Sequence, residues 1–222
     1  MDARRGLSGT TEAMTAPDLS FFIEDAEPLQ YAAAPHLSFK LRVNGPDQQP
    51  IHSVILRCQL QIEAARRRYS EKEQKHLTDL FGAHDQWAQT LHSMHWTNTN
   101  IVIPPFTEMT RVDLPVPCTF DFNAAATKYF AGISEGEIPI TFLFSGTIFY
   151  ATASSPLQVT QISWNKEGTY NLPIRIWREM MQLHYPNSVW LCLERTAFDR
   201  LNEFKTERGM PTFEQAIAEA IR

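Results

Sequence analysis

Strict alternation of apolar and polar residues is the feature that most constrains the fold of this chain. In LSFKLRV, residues 37–43, every second side chain is apolar, and the same period of two returns in IHSVILRCQLQIE, residues 51–63. This period places alternate side chains on opposite faces of a strand, so both stretches predict half-buried β-strands. The turn-forming sequence GPDQQP at 45–50 predicts that the two strands pair as an antiparallel hairpin.

Further strands are predicted where β-forming residues dominate. IPITFLFSGTIFY at 138–150 is almost continuously apolar, which is typical of a strand that is covered on both faces. VDLPVPCTFDF at 112–122 alternates but contains Pro115 and Pro117, which favour a sheet edge because proline has no N–H to donate. A last alternating strand is predicted at 157–164.

Helices are predicted between and after the strands. Ser70 and Glu73 have the spacing of a capping box, and Gly82 is a typical helix stop. Pro173 suits the first position of another helix, and two more helices are predicted within 196–221.

The order of these elements predicts the α+β class. We expect an antiparallel β-sheet covered by helices from 70–92 and 173–221, with a helical C-terminal third. Residues 1–17 are small and polar, which predicts a disordered tail. Because no linker is evident, residues 18–222 are expected to form a single domain.

Composition and charge exclude several classes of protein. The chain has 222 residues, 43% of them hydrophobic, and a formal charge of −5. A mildly acidic chain lacks the clustered positive field of a nucleic-acid-binding protein. The sequence shows no signal peptide and no apolar run long enough to cross a bilayer, so a cytoplasmic protein without membrane insertion is expected.

Motifs that would indicate an enzyme are missing. The sequence contains neither GxGxxG nor GxxxxGK[ST], and FSGT at 144–147 lacks the leading glycine of a nucleophile elbow. Cys58, Cys118 and Cys192 are too far apart for a CxxC metal pair. The sequence therefore predicts no catalytic residue and no cofactor, and it favours a non-enzymatic protein.

One histidine-rich stretch leaves an alternative open. HDQWAQTLHSMHW, residues 84–96, contains His84, His92 and His95. Histidines three or four residues apart on a helix can share a metal ion, so these three are candidate ligands of a metal-binding protein or metal-dependent enzyme. The same residues are also compatible with an acid–base site or with the rim of a packed helix.

Aromatic residues beside rigid proline-rich backbone suggest a binding surface. Such surfaces lose little entropy when a partner docks. The candidate partner-binding residues are Trp96, Phe106, Trp164 and Tyr170. The alternative is that these rings fill the core while the prolines protect sheet edges.

Two long stretches resemble an uncharacterised bacterial protein family. They are 101–150, with IPPF, LPVPCTFDF and FLFSGTIFY, and 172–221, with LPIRIWRE. Members of the family it resembles, a domain of unknown function, are often encoded beside actinobacterial-type uptake [NiFe]-hydrogenase subunits. The resemblance implies an accessory protein that assists hydrogenase assembly or stability, and it implies no catalytic residue.

The opening strands, 19–43 and 51–63, are also similar in pattern to the SecB-like export-chaperone fold. That similarity implies a chaperone, and a structural subunit of a larger complex is a further alternative. A protein partner, such as a hydrogenase subunit, is therefore expected, and a homo-oligomer is compatible with the sequence.

Overall fold

The structure is a computed structural model that describes residues 16–47, 49–119, 124–152, 155–189 and 191–222. Strands account for about 40% of the chain and helices for about 31%, which confirms the predicted α+β class.

Eight described strands form two antiparallel sheets. They are β1 (Ser20–Pro28), β2 (His36–Asn44), β3 (Ile51–Ile62), β4 (Met94–Ile103), β5 (Met109–Pro117), β6 (Glu137–Thr152), β7 (Ser155–Gln161) and β8 (Glu167–Pro173). Sheet A has the order β1-β2-β5. Sheet B has the order β4-β3-β6-β7, and β8 pairs with the first half of β6.

The described residues also form seven α-helices. They are α1 (Glu71–His76), α2 (Thr78–Phe81), α3 (Trp87–Thr90), α4 (Ala124–Gly132), α5 (Ile174–His184), α6 (Arg195–Glu207) and α7 (Phe213–Ala220). The chain divides into two compact units, Met1–Pro186 and Asn187–Arg222. The first unit contains both sheets, and the second contains α6 and α7.

The two sheets bury their apolar faces against each other. The Phe39 ring of β2 lies 5.0 Å from that of Phe142 in β6, and the Phe21 ring of β1 stacks at 4.5 Å on Phe144. Phe39, Phe142 and Phe144 are all buried in one continuous core. The first unit is therefore a β-sandwich, in which a second sheet provides most of the cover that the sequence led us to expect from helices.

The predicted hairpin of 37–43 with 51–63 is wrong. The first of these strands, β2, pairs with β1 and β5, whereas β3 pairs with β4 and β6 in the other sheet. Alternation of apolar and polar residues indicates only that one face of a strand is buried. The same pattern is expected whether two strands pair within one sheet or lie in two facing sheets. Consecutive strands β2 and β3 therefore belong to different sheets.

The edge position predicted from the two prolines is confirmed. Pro115 and Pro117 lie in β5, which is an edge strand of sheet A. The edge strand β8 lacks the strong alternation of the other strands, and sequence patterns do not predict it.

Strand β6 changes neighbours at Gly146. Residues 137–143 pair with β8, and residues 147–152 pair with β7. The φ of Gly146 is 143°, which side chains rarely tolerate, and a Cβ there would lie 2.0 Å from the Ile55 carbonyl oxygen. Glycine at this position permits the close approach that joins the two halves of the long strand.

Aromatic stacking attaches two helices to the core of the first unit. Phe130 of α4 packs at 4.9 Å from Trp96 and stacks at 5.3 Å on Trp177 of α5. No helix among the described residues is both long enough and apolar enough to cross a membrane.

Candidate functional site

The outer face of sheet A is covered by ion pairs. Glu24 accepts from Arg42 at 2.6 Å and from Arg111 at 2.7 Å, while Lys40 lies 2.6 Å from Glu27 and 2.7 Å from Asp113. The hydrogen bond from Arg111 is the main cause that lowers the pKa of Glu24, and the hydrogen bond to Asp113 is the main cause that raises the pKa of Lys40. A sheet face with paired charges is well solvated and resists non-specific association.

The outer face of sheet B exposes aliphatic side chains that adjoin one another across neighbouring strands. Val102, Ile55 and Thr147 are neighbours across three strands, and Phe149 is the direct neighbour of Val159. The apolar stripe, as we name it, comprises Val102, Ile55, Phe149, Val159 and Leu157. Four of its members are between 46% and 69% exposed, and Phe149 is half-buried. Exposed apolar side chains that adjoin across strands are typical of an interaction surface.

Strand β7 ends the sheet beside this stripe, with one edge unpaired among the described residues. The Ile162 N–H donates to the Gly146 carbonyl oxygen at 2.9 Å, so even-numbered residues face β6. The backbone groups of Val159 and Gln161 therefore point away from the sheet. Leu157 lies beside a register shift of β7, and its carbonyl oxygen accepts from the Ser155 hydroxyl at 3.2 Å. The sequence of β7, SPLQVTQ, contains no Asp, Glu, Lys or Arg, so Pro156 is the one residue in it of a type that commonly protects strand edges.

Trp164 lies in the turn just beyond β7. Its side chain is 93% exposed. The turn is held by two backbone bonds, one from Lys166 N–H to the Ser163 oxygen at 3.2 Å and one from Phe144 N–H to the Lys166 oxygen at 2.9 Å. A large ring on an anchored turn can act as a preorganised contact for a partner.

The structure does not gather the four predicted aromatic residues on one surface. Trp96 is only 4% exposed and packs at 6.3 Å from Phe39 in the core. Phe106 is half-buried and pairs through its backbone with Ile51. Tyr170 is half-buried in β8, where its hydroxyl donates to Asp25 at 3.4 Å.

Sequence reasoning missed the apolar stripe. The sequence feature that could best have indicated it is the absence of charged residues in β7. The stripe itself, however, is formed by pairing between strands that are distant in sequence. Of the four predicted residues, Trp164 is the one that adjoins the end of β7 in the chain, and a role for any of them in partner binding stays a prediction.

The three candidate metal-binding histidines occupy unrelated positions. His84 begins a one-turn 3₁₀-helix, with its ring 5.2 Å from that of Trp87. His92 is exposed in the segment before β4, and His95 in β4 lies 3.1 Å from the Asn98 side-chain nitrogen. Among the residues that the structure describes, no group of three or more His, Cys, Asp or Glu side chains is arranged to hold a metal ion. Their placement gives the metal-site interpretation no support.

Two of the cysteines are poorly suited to nucleophilic chemistry. Cys58 and Cys118 are buried. Burial raises the pKa of the Cys58 thiol well above its usual value and raises that of Cys118 to about 12. Both therefore remain protonated near neutral pH, whereas a nucleophilic cysteine needs its thiolate form.

A buried polar cluster joins α1 to the loop after α4. Arg67 donates from Nη2 to Glu73 at 3.0 Å, and the same carboxylate accepts from the backbone N–H groups of Ser70 at 2.9 Å and Ser134 at 2.8 Å. The Ser70 hydroxyl accepts from the Glu73 N–H, which completes the predicted capping box. Glu73 thus connects three segments, and this role is structural.

Two tyrosine hydroxyls lie beside this cluster. Those of Tyr69 and Tyr129 are 2.7 Å apart, and Tyr69 also donates to the Ala64 carbonyl oxygen at 2.7 Å. Burial raises the pKa of both phenols above the usual tyrosine value. Such groups stay neutral and act as hydrogen-bonding partners rather than as bases.

Several solved structures match this chain with low scores. A β-glucosidase from Kluyveromyces marxianus matches with 11% identity and a TM-score of 0.28. The match covers 71% of this chain but only 15% of the β-glucosidase chain. The CARDB domain of a Pyrococcus furiosus protein, solved with two metal ions, matches with 10% identity and a TM-score of 0.27, over 71% of this chain and 92% of its own. A putative late embryogenesis abundant (LEA) protein matches with 14% identity and a TM-score of 0.31, over 72% and 73% of the two chains. Scores of this size establish neither a common fold nor a common function.

No curated protein matches the sequence. A family does match, and it covers residues 16–222, which include every described strand and helix. The chain therefore belongs to the family described as "Family of unknown function (DUF6084)".

Proposed function

We propose that this chain is a non-enzymatic binding protein that captures an extended segment of a partner polypeptide along β7. The observation that carries the proposal is the uncharged, solvent-facing edge of β7, which continues into the apolar stripe. An added strand would accept and donate backbone hydrogen bonds at Val159 and Gln161, as in other cases of β-augmentation. Trp164, beyond the end of the strand, would provide a large anchoring contact.

The composition of this edge selects the kind of partner. β7 has no charged side chain, and its exposed Leu157 and Val159 face the same side as Ile55. A segment that alternates apolar and polar residues would extend the stripe on one face and leave its polar residues on the other. The preferred occupant is therefore an uncharged, β-forming segment of another protein.

The resemblance to a hydrogenase-associated family supports a hydrogenase subunit or its precursor as the source of that segment. In this proposal the protein acts in the cytoplasm and holds the subunit during assembly. This use of an exposed strand edge is also compatible with the chaperone-like role expected from the pattern of the opening strands.

A charge placed on β7 tests the proposal. Val159→Lys puts a cation on the stripe, and Met109→Lys is the matched control, because Met109 is 42% exposed on the outer face of sheet A. Wild type and both variants are cross-linked in native cells and purified, and co-purified hydrogenase subunits are quantified by mass spectrometry. We expect Val159→Lys to reduce their recovery about tenfold, which corresponds to about 1.4 kcal/mol, and Met109→Lys to leave it unchanged.

Equal recovery with both variants would show that the β7 edge does not carry the interaction. Light scattering of the purified proteins provides the second measurement. A wild-type dimer that Val159→Lys converts to monomer would identify a second copy of this chain as the occupant, in place of a different protein.

A further inference from the structure

A cleft on the first unit combines aromatic walls with positive charge. Its volume is about 600 Å³, and it lies between the segment after β3, helix α1 and the turn that contains α3. This size falls within the range of small-molecule sites in proteins. The lining residues that matter for its chemistry are Arg67, Arg68, Tyr69, Gln74, His84 and Trp87.

The aromatic side of the cleft is rigid. Tyr69 and Trp87 meet edge to face with their ring centres 5.2 Å apart. The Trp87 indole N–H donates to the Gly82 carbonyl oxygen at 3.1 Å, and the Tyr69 hydroxyl donates to the Ala64 oxygen. Both rings are therefore held in place before any ligand arrives, which reduces the entropic cost of binding a planar group.

The polar side of the cleft is cationic. No Asp or Glu side chain lines it, and no described residue forms an ion pair with Arg68. Arg67, whose side chain is only 10% exposed, uses Nη2 for Glu73 and for the Glu135 carbonyl oxygen. Its buried Nη1 has no hydrogen-bond partner among the described residues. The charge of Arg67 is balanced by Glu73, so Arg68 supplies the uncompensated charge at this site.

We propose that this cleft binds a small organic anion that contains an aromatic ring. The ring packs against Trp87 and Tyr69, and the anionic group pairs with Arg68, with His84 at the rim as a further donor. A planar guanidinium beside a carboxylate, sulfonate or phosphate oxygen makes a charge-assisted hydrogen bond, and a neighbouring aromatic wall selects against a bare inorganic ion. This site is separate from the β7 edge and does not depend on the role proposed for that edge.

Calorimetric titration of the full chain with 2-naphthoate tests the proposal. Arg68→Gln removes the charge of the proposed anion contact. Arg66→Gln is the matched control, because Arg66 belongs to the same basic run but lies 3.7 Å from Glu63 and does not line the cleft. We expect saturable binding by wild type, a loss of affinity of about tenfold or more in Arg68→Gln, and no change in Arg66→Gln.

Two further ligands separate the contribution of the ring from that of the charge. Inorganic phosphate provides charge without a ring, and 2-naphthol provides a ring without a full charge at neutral pH. We expect both to bind more weakly than 2-naphthoate. The proposal is overturned by an absence of saturable 2-naphthoate binding up to about 10 mM, by equal affinity in Arg68→Gln, or by phosphate binding as tightly as 2-naphthoate.

Discussion

At the scale of single residues, the sequence distinguishes types of side chain better than their environments. Trp96 and Trp164 both lie near strand-like sequence, and both were candidates for a partner-binding surface. In the structure Trp96 is 4% exposed and Trp164 is 93% exposed. The difference arises from tertiary packing against Phe39 and Phe130, which no local pattern records.

Truncation of the two tryptophans should affect the stability of the fold to very different extents. Trp96→Ala removes a buried ring and leaves a cavity, so we expect the free energy of unfolding to fall by about 3–5 kcal/mol. Trp164→Ala should change it by less than about 0.5 kcal/mol. Urea unfolding followed by circular dichroism measures both, and a similar loss in the two variants would contradict the burial seen here.

Glu73 should account for part of the acid sensitivity. Burial alone would raise the pKa of Glu73, but the hydrogen bonds from the Ser70 and Ser134 backbone and from Arg67 outweigh it, and they lower this pKa to about 2. A carboxylate whose pKa is lower in the folded state stabilises the fold above its unfolded pKa. That contribution is lost as the pH falls towards 2.

We therefore expect Glu73→Gln to lower the free energy of unfolding at pH 7 by about 3 kcal/mol, because it also leaves Arg67 buried without its counter-charge. The difference in free energy of unfolding between wild type and Glu73→Gln should decrease as the pH falls from about 5 towards 2. Urea unfolding at several pH values provides the profile. Glu71→Gln, an exposed position of the same helix, is the control, and a gap independent of pH would refute the assignment.

At the scale of elements, sequence patterns predicted the positions of strands well but predicted poorly which strands pair with each other. The alternation in β2 and β3 and the prolines of β5 correctly indicated strands and an edge. The pairing of β2 with β3 was wrong, because adjacent strands in sequence belong to different sheets. The apolar stripe was not predictable for the same reason: it joins β4, β3, β6 and β7 through contacts between distant segments.

The change of neighbours along β6 should make Gly146 intolerant of substitution. In Gly146→Ala the new Cβ would lie 2.0 Å from the Ile55 oxygen, so β3 and β6 must separate. We expect a loss of about 3 kcal/mol or more. Gly136→Ala is a suitable control, because Gly136 lies in the same unit and has a φ of 84°, but its added Cβ would meet only Arg67 Nη2 at 3.5 Å, and it should cost only about 1 kcal/mol. Thermal unfolding of both variants tests the difference, and equal losses would disprove the role of close approach.

At the scale of the whole molecule, the α+β class was predictable from element order, but the sandwich was not. The first unit contains all eight described strands and almost every residue of the buried core. In the second unit Ala216 is the one described apolar residue that is buried. Composition alone gives no sign of this unequal distribution, since α6 and α7 contain apolar residues at helical spacing.

This distribution predicts that the first unit folds without the second. A chain that ends at Pro186 should keep its β-sheet circular dichroism signal and a single cooperative unfolding transition. We expect its free energy of unfolding to lie within about 1 kcal/mol of the full chain, because the strands and their core are intact. A broad, non-cooperative transition would show that residues 187–222 are needed to complete the fold.

The contrast between the two outer sheet faces has a kinetic consequence. A partner that approaches β7 meets no charged side chain on that strand, so the strand itself adds no electrostatic attraction to the encounter. Association should therefore proceed at the ordinary rate of about 10⁵–10⁶ M⁻¹s⁻¹ and change little with ionic strength. Selectivity between competing partner segments would then depend mainly on the dissociation rate of each complex.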